Sequence, residues 1–332
     1  MPVIEVKNLS KNYPYHKKQP GLKAAFKALF KREKLEAEAV RGISFKIDEG
    51  ELVGFLGPNG AGKTTTLKML SGILHPTAGE ISVLGFIPWD RKKDYQRQFS
   101  LVMGQKNQLW WDLPPSESFL LNKAIYEIDD DGFKKTLDEL VELLDVGDIL
   151  NVPVRKLSLG QRMKCELIAA LLHAPKVLFL DEPTIGLDVV AQKNIRDFIK
   201  KYNRMSRTTI ILTSHYMEDI KELCRRVIII DQGRIIYDGN LDDLIKKYAP
   251  YKELKIIFNE KIDRSRLEKF GDITDFDGFS ASWRIERRNI KAKAAEILAS
   301  DLPVDDILIN EIGIDRVIRR IFKNGYDDNK IK

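Results

Sequence analysis

The sequence predicts an α/β fold built on a largely parallel sheet, followed by a small α+β domain. Three observations predict it. Short β-branched apolar runs alternate with helical patterns through most of the 332 residues, as a parallel sheet covered by helices requires. Gly57, Asp181 and His215 each follow the end of such a run, where open parallel sheets gather their ligands. Past Gly239 the strand signals are spaced more widely, with two helical stretches and no cluster of catalytic residue types.

The length allows one large domain and a smaller one. A hydrophobic content of 43% and a charged content of 31% are those of a soluble globular protein. No apolar run approaches the roughly 18 residues of a membrane span, and MPVIEVKNLS has no signal-peptide core. A place in the cytosol, or at the cytosolic face of a membrane, is expected. Cys165 and Cys224 lie far apart in apolar-periodic segments without metal or redox spacing, so buried free thiols are expected. The net charge of +6 is local: from Lys17 to Lys34, seven basic residues stand against Glu33, which equals the whole excess. The balance elsewhere argues against a nucleic-acid-binding surface, and no nucleic-acid partner is expected.

Taken in order, Val3 to Val6 and Ile43 to Ile47 alternate as edge strands on either side of the basic segment. Leu52 to Leu56 is an apolar strand, and Leu67, Met69 and Leu70 begin a helix after it. The turn HPTAG leads to a strand at Ile81 to Leu84, and Phe99 to Met103 is another, ending in Gly104-Gln105. The aromatic loop LWWDLPP follows, then a helical pattern from Ser116 to Leu150 and Pro153. Leu157 opens a helix to about Leu172. A buried strand, Val177 to Leu180, delivers Asp181 and Glu182; then come a helix (Ala191 to Tyr202), a strand (Thr209 to Thr213), a helix (Glu218 to Cys224) and a strand (Val227 to Asp231). Beyond them, Leu254 to Phe258, Ser282 to Ile285 and Ile307 to Ile309 read as strands, and Ile290 to Ala299 and Gly313 to Phe322 as helices.

The chemistry starts at Gly57 to Thr65, GPNGAGKTT, which contains G-x-x-x-x-G-K-T between a strand and a helix. Gly57, Pro58, Asn59, Gly60, Ala61 and Gly62 supply a loop whose backbone amides can curl around phosphate without Cβ clashes. The helix behind it turns its N-terminus to the same charge. Lys63 can reach the β- and γ-phosphates, and the Thr64 hydroxyl is placed for Mg²⁺, with Thr65 next to it. Asp181 and Glu182 lie at the end of an apolar strand, Asp181 being 118 positions after Lys63. They complete a nucleotide hydrolase: Asp181 to hold Mg²⁺ through water, Glu182 to polarise the attacking water.

With these residues in order, the chain resembles the nucleotide-binding subunit of an ATP-binding cassette (ABC) transporter over roughly residues 3–240. The resemblance rests on GPNGAGKTT, Gln105, LSLGQ just before VLFLDEPTIGLD, and LTSH ending at His215. LSLGQ departs from the commoner LSGGQ at Leu159 but retains Ser158 and Gly160. The resemblance implies a P-loop cassette with a mixed, largely parallel core sheet, antiparallel edge strands and a helical subdomain, binding ATP and Mg²⁺. It implies that Tyr13 (or its neighbour Tyr15) stacks on adenine and that Gln105 touches Mg²⁺ and senses the γ-phosphate. Glu182 becomes the general base, and His215 the switch that contacts the γ-phosphate. Ser158, Gly160 and Gln161 meet the nucleotide of a second copy, with Asp188 at the contact between subunits. Two subunits then sandwich two ATP molecules.

The cassette is expected to span 1–240. Within it lie a basic insertion at 16–38 and a helical subdomain at 114–156 that continues through the signature helix to about 172. An accessory or regulatory domain is expected at 241–332. The finer resemblance is to ATPases of ABC-2 type exporters that pair with separate permeases, including a bacterial subset described as multidrug or viologen exporters. The competing class is a soluble ABC ATPase acting on ribosomes or DNA, but a single phosphate loop and no sustained heptad run disfavour it. Export rather than import rests on resemblance alone. Trp110 and Trp111 adjoin the helical subdomain and read either as a docking surface for a permease helix or as hinge packing.

In the basic segment, Leu22, Ala25, Phe26, Leu29 and Phe30 share one helical face, with Lys23, Lys27 and Lys31 in a row outside it. A short basic amphipathic helix suits an anionic membrane surface or a permease, the alternative being packing on its own domain. Replacing those three lysines with glutamate is expected to reduce association with anionic vesicles or permease and to leave ATP binding intact. Unchanged association in both assays would refute the membrane-facing reading.

Overall fold

The computed structural model describes residues 2–16, 34–248, 250–311, 317–318 and 321–322. The basic amphipathic segment therefore lies outside the described residues, apart from its last lysine, Lys34. So does much of the helix expected at Gly313 to Phe322, although Val317, Ile318, Ile321 and Phe322 are helical.

Alternation at the N-terminus runs much further than the two short strands expected. β1 (Pro2–His16) and β2 (Lys34–Asp48) pair antiparallel from Pro2↔Asp48 to His16↔Lys34, with several bulges between. His16 and 34–38, at the two ends of the expected insertion at 16–38, are ladder residues. The stretch KLEAEAV alternates with period two, but Glu and Ala favour strands weakly and hide the signal. β4 (Ala78–Val83) pairs with the other edge of β1, completing a three-stranded antiparallel sheet.

The second sheet has six strands in the order β5-β6-β7-β3-β8-β9. Its members are β3 (Leu52–Leu56), β5 (Phe99–Met103), β6 (Val177–Asp181), β7 (Thr209–Thr213), β8 (Arg226–Asp231) and β9 (Arg234–Asn240). The first five in that order pair in parallel. β6 and β7 are buried at every residue, which explains why they read as continuous apolar or β-branched runs rather than alternation. β9 is an unforeseen strand, reached through Gln232 and Gly233, both at positive φ as a two-residue hairpin turn demands.

The helices that accompany these sheets are α1 (Lys63–Leu70), α2 (Lys93–Gln96), α3 (Pro115–Tyr126), α4 (Asp130–Leu144), α5 (Leu159–Leu171), α6 (Val189–Ser206) and α7 (Met217–Leu223). The helical stretch expected from Ser116 to Leu150 is broken in two. Glu127 ends α3 in the left-handed conformation, and Asp129 starts α4 by accepting from Gly132 N at 2.8 Å. Both cysteines are free and buried.

The chain folds as two compact units, Met1–Gly239 and Asn240–Lys332. The second holds α8 (Leu241–Tyr248) and an antiparallel sheet in the order β11-β12-β10-β13, with α9 (Ile290–Leu298) against β10 and β12. Its strands are β10 (Tyr251–Phe258), β11 (Ile273–Phe276), β12 (Ser280–Glu286) and β13 (Val304–Glu311). Trp283, Leu254, Ile256 and Ile297 form the centre of a core of its own. A chain ending at Asn240 is expected to unfold cooperatively and still bind ATP. Loss of nucleotide binding in equilibrium titration would show that the second unit is part of the cassette's core.

Candidate nucleotide site

The phosphate loop follows β3 because the chain must reverse there against β8 without side-chain bulk. A Cβ on Gly57 would stand 2.3 Å from the Ile230 carbonyl, and one on Gly62 would stand 2.6 Å from the Ala39 carbonyl. Gly62 also adopts φ 108°, so only glycine satisfies both demands. Lys63 leads α1, and its buried Nζ donates to the Gly57 and Pro58 carbonyls at 2.6 and 3.1 Å. Burial pushes the ammonium pKa down, while the charges of Glu182 and Asp181 oppose that shift. A cation held among loop carbonyls at a helix N-terminus is chemistry suited to a polyphosphate.

Asp181 ends β6 and binds the neighbouring elements together. Its Oδ2 accepts from Thr64 Oγ1 at 2.8 Å, and its Oδ1 accepts from Thr213 Oγ1 at 2.7 Å. The Thr64–Asp181 pair presents two oxygen ligands of the type Mg²⁺ takes alongside phosphate oxygens. Glu182 follows at φ 56°, a conformation costing a non-glycine residue about 1–2 kcal/mol. Its N–H is held by Thr213 through the carbonyl at 3.1 Å and the hydroxyl at 3.0 Å. His215 Nε2 approaches Glu182 Oε1 at 2.7 Å, whereas Glu182 Oε2 is buried without a hydrogen-bond partner. The structure therefore brings Lys63, Thr64, Asp181, Glu182 and His215 together at the carboxyl ends of β3, β6 and β7.

The other expected residues occupy separate positions. Ser158 is the N-cap of α5 in a capping box: its hydroxyl accepts from Gln161 N at 3.2 Å, and Gln161 Oε1 accepts from Ser158 N at 3.0 Å. Gly160 lies against α6, where a Cβ would stand 3.0 Å from the Ala191 side chain. Asp188 caps α6 by accepting from Ala191 N at 2.9 Å, a contact contributing about 1 kcal/mol. Tyr13 and Tyr15 are both exposed on β1, and the Lys11 ammonium lies 5.4 Å from the Tyr13 ring centroid.

Residues 40–185 match the family model described as ABC transporter, and residues 250–310 match the EvrA-like ABC transporter C-terminal domain. The ABC transporter ATP-binding protein NatA of Bacillus subtilis (strain 168) is 34% identical over 71% of this chain and 95% of its own. The chain belongs to the ABC transporter ATP-binding family. The bacitracin transport ATP-binding protein BcrA of Bacillus licheniformis is 32% identical over 72% of this chain and 77% of its own. A dimeric, post-hydrolysis ATP-binding cassette, MJ0796, bound to ADP and Pi, shares the fold at TM-score 0.59 and 23% identity, over 72% of this chain and 98% of that one.

This ABC cassette carries further site-shaping residues that motif reading did not single out. Gly104 passes so close to Glu182 that a Cβ there would stand 2.0 Å from the Glu182 carbonyl, so the start of the glutamine loop is pressed against the carboxylate pair. Gln105 is exposed just after it. Three residues on, Gln108 N donates to both oxygens of Glu166, a buried carboxylate on α5, at 3.1 and 3.2 Å. Trp110 and Trp111 are 57% and 49% exposed, which decides for a surface over hinge packing. Arg162 stacks its guanidinium 5.9 Å from the Trp111 ring centroid. His173 is half-buried, its ring stacked on Tyr126 at 3.8 Å, and His75 packs near Trp89, so both are structural.

Burial pushes the Glu166 carboxyl up to about 7 from 4.5, against the opposing backbone N–H of Gln108, the charge of Arg162 and the N–H of Leu109. The folded protein thus holds this proton more tightly than the unfolded chain. Its stabilising contribution is complete below about pH 4.5 and is lost as pH rises through about 7. Glu166→Gln is expected to flatten the fall in stability across that window, by an amount on the order of 1–3 kcal/mol in denaturant titrations. An identical slope in the variant would show that the carboxyl titrates normally.

Proposed function

We propose that the chain is the ATP-hydrolysing motor of an ABC exporter, working as a homodimer with ATP at the interface and driving separate membrane-spanning permeases. The observation that carries the reading is Glu182, held between Thr213 and His215 with its Oε2 buried and unpartnered beside the Thr64–Asp181 pair. A carboxylate fixed by Thr213 and His215 beside a phosphate-binding loop is the group suited to take a proton from the attacking water.

The chain's own residues divide the work. The amides of Gly57 to Thr65 and Lys63 bind the phosphates, and Tyr13 stacks on adenine. Thr64 and Asp181, with Gln105, would hold Mg²⁺, which when bound would neutralise charge developing on the phosphate oxygens. Glu182 accepts the proton of the attacking water at Oε2, while His215 Nε2 fixes the carboxylate through Oε1 and faces the γ-phosphate. Ser158 and Gly160 of the second copy close the site, with Asp188 at the contact between copies. The capping box supports that arrangement by orienting the N-terminus of α5 as an anion-binding end.

A cleft of about 400 Å³ between β5, α3 and α5, lined by Phe99, Leu109, Trp110, Leu121, Ile125 and Tyr126, supports docking of a permease helix. The bacitracin relative supports transport, export is the direction proposed, and the cytoplasmic face of the membrane is the proposed location. No helix among the described residues is long and apolar enough to cross a membrane.

Glu182→Gln is expected to retain ATP affinity, to lose hydrolysis by about a hundred-fold or more, and to accumulate an ATP-bound dimer. Hydrolysis near the wild-type rate would remove Glu182 from the role of base.

A further inference from the structure

Apart from the residues that face the nucleotide, one fully buried carboxylate joins the catalytic loops: Asp219, in the first turn of α7. Its Oδ2 accepts from Thr184 Oγ1 at 2.5 Å and from Ser214 Oγ at 2.6 Å. Its Oδ1 accepts from Arg196 of α6 at 3.0 Å, and Arg196 Nε donates to Glu222 at 3.0 Å. Asp219, Thr184, Ser214 and Arg196 are each no more than 5% exposed. The Ser214 oxygen also accepts from Tyr216 N at 2.9 Å.

The positions of the two hydroxyls give this network its meaning. Thr184 stands two residues after Glu182, and Ser214 immediately precedes His215. The parallel ladder between β6 and β7 ends at Asp181↔Thr213. Beyond it, Asp219 bridges the loop that carries the carboxylate and the loop that carries the histidine. A buried aspartate with an arginine counter-charge is costly to desolvate, and an apolar trio would pack these loops with less desolvation cost. What a carboxylate adds is geometry. One oxygen accepting two short hydrogen bonds sets the distance between two hydroxyls more narrowly than dispersion contacts do.

We infer that Asp219 is a positioning residue for hydrolysis. By accepting from Thr184 and Ser214 through one oxygen, it sets the 2.7 Å contact of Glu182 with His215, and Arg196 holds the carboxylate in place. The inference rests on the reading of Glu182 as the base and His215 as its partner.

The test uses the full-length chain. Thr184→Val and Ser214→Ala each remove one donor and leave Arg196 paired with Asp219; Thr184→Ser restores the donor. In the two deletions kcat for ATP is expected to fall about ten-fold with KM and ATP affinity held within about two-fold, and in Thr184→Ser to recover. The side-chain ¹⁵N resonance of His215, identified by its loss in His215→Ala, is expected to move in both deletions and return in Thr184→Ser. An unmoved resonance with unchanged kcat would overturn the inference. So would kcat, ATP affinity and thermal midpoint falling together, since that pattern belongs to a structural bridge alone. Glu182→Gln in the same series separates the two readings. If it hydrolyses ATP at the wild-type rate the base is misassigned, while the His215 resonance still reports whether the bridge sets its position.

Discussion

Two threonine hydroxyls donate to one aspartate, and the catalytic half of the molecule is arranged around that junction. Through Thr64 and Thr213, Asp181 joins the phosphate-loop helix, the strand that bears the carboxylates and the strand that leads to His215. Each partner is fixed by a separate device: the glycine-lined turn for Thr64, and the fully buried ladder of β6 and β7 for Thr213. A carboxylate accepting two hydroxyls is fixed in orientation at the end of an apolar strand. That makes the strand end a place for a divalent ion and phosphate oxygens.

A strained residue and a close backbone approach lie next to that junction. Glu182 is held in a left-handed conformation, and Gly104 presses its backbone against the Glu182 carbonyl. Strain at such a position persists only where the surroundings over-determine it. Here the surroundings are Thr213 on one side, the glutamine loop on another and the Asp219 bridge beneath the following residues. The segment that carries Gln105 therefore meets Glu182 through backbone contact rather than through a long side chain.

The same loop reaches the helical subdomain. Glu166 binds the Gln108 backbone from α5, whose first residue follows the Ser158 cap, and the exposed tryptophans begin two residues after Gln108. One short segment thus links the Glu182 neighbourhood, the helix that opens at Ser158 and the cleft proposed to receive a permease.

The sequence by itself determined the elements whose chemistry is read by consecutive residues. A phosphate is bound by successive amides, so the loop from Gly57 to Thr65 is legible as a motif, as is a carboxylate pair after an apolar strand. The parallel sheet was legible too, because strands buried on both faces leave uninterrupted apolar runs. The long β1–β2 ladder was not, since its outer half alternates residues with weak strand preference. Only the tertiary structure decided which isolated polar residues matter. Asp219 meets Thr184 across 35 positions and Glu166 meets Gln108 across 58, and Gly104 is required by the backbone of a different strand. None of these has a spacing of its own. Their partners are chosen by which strand ends and helix faces the fold brings together, and a buried charge shows its purpose only when those partners are in place.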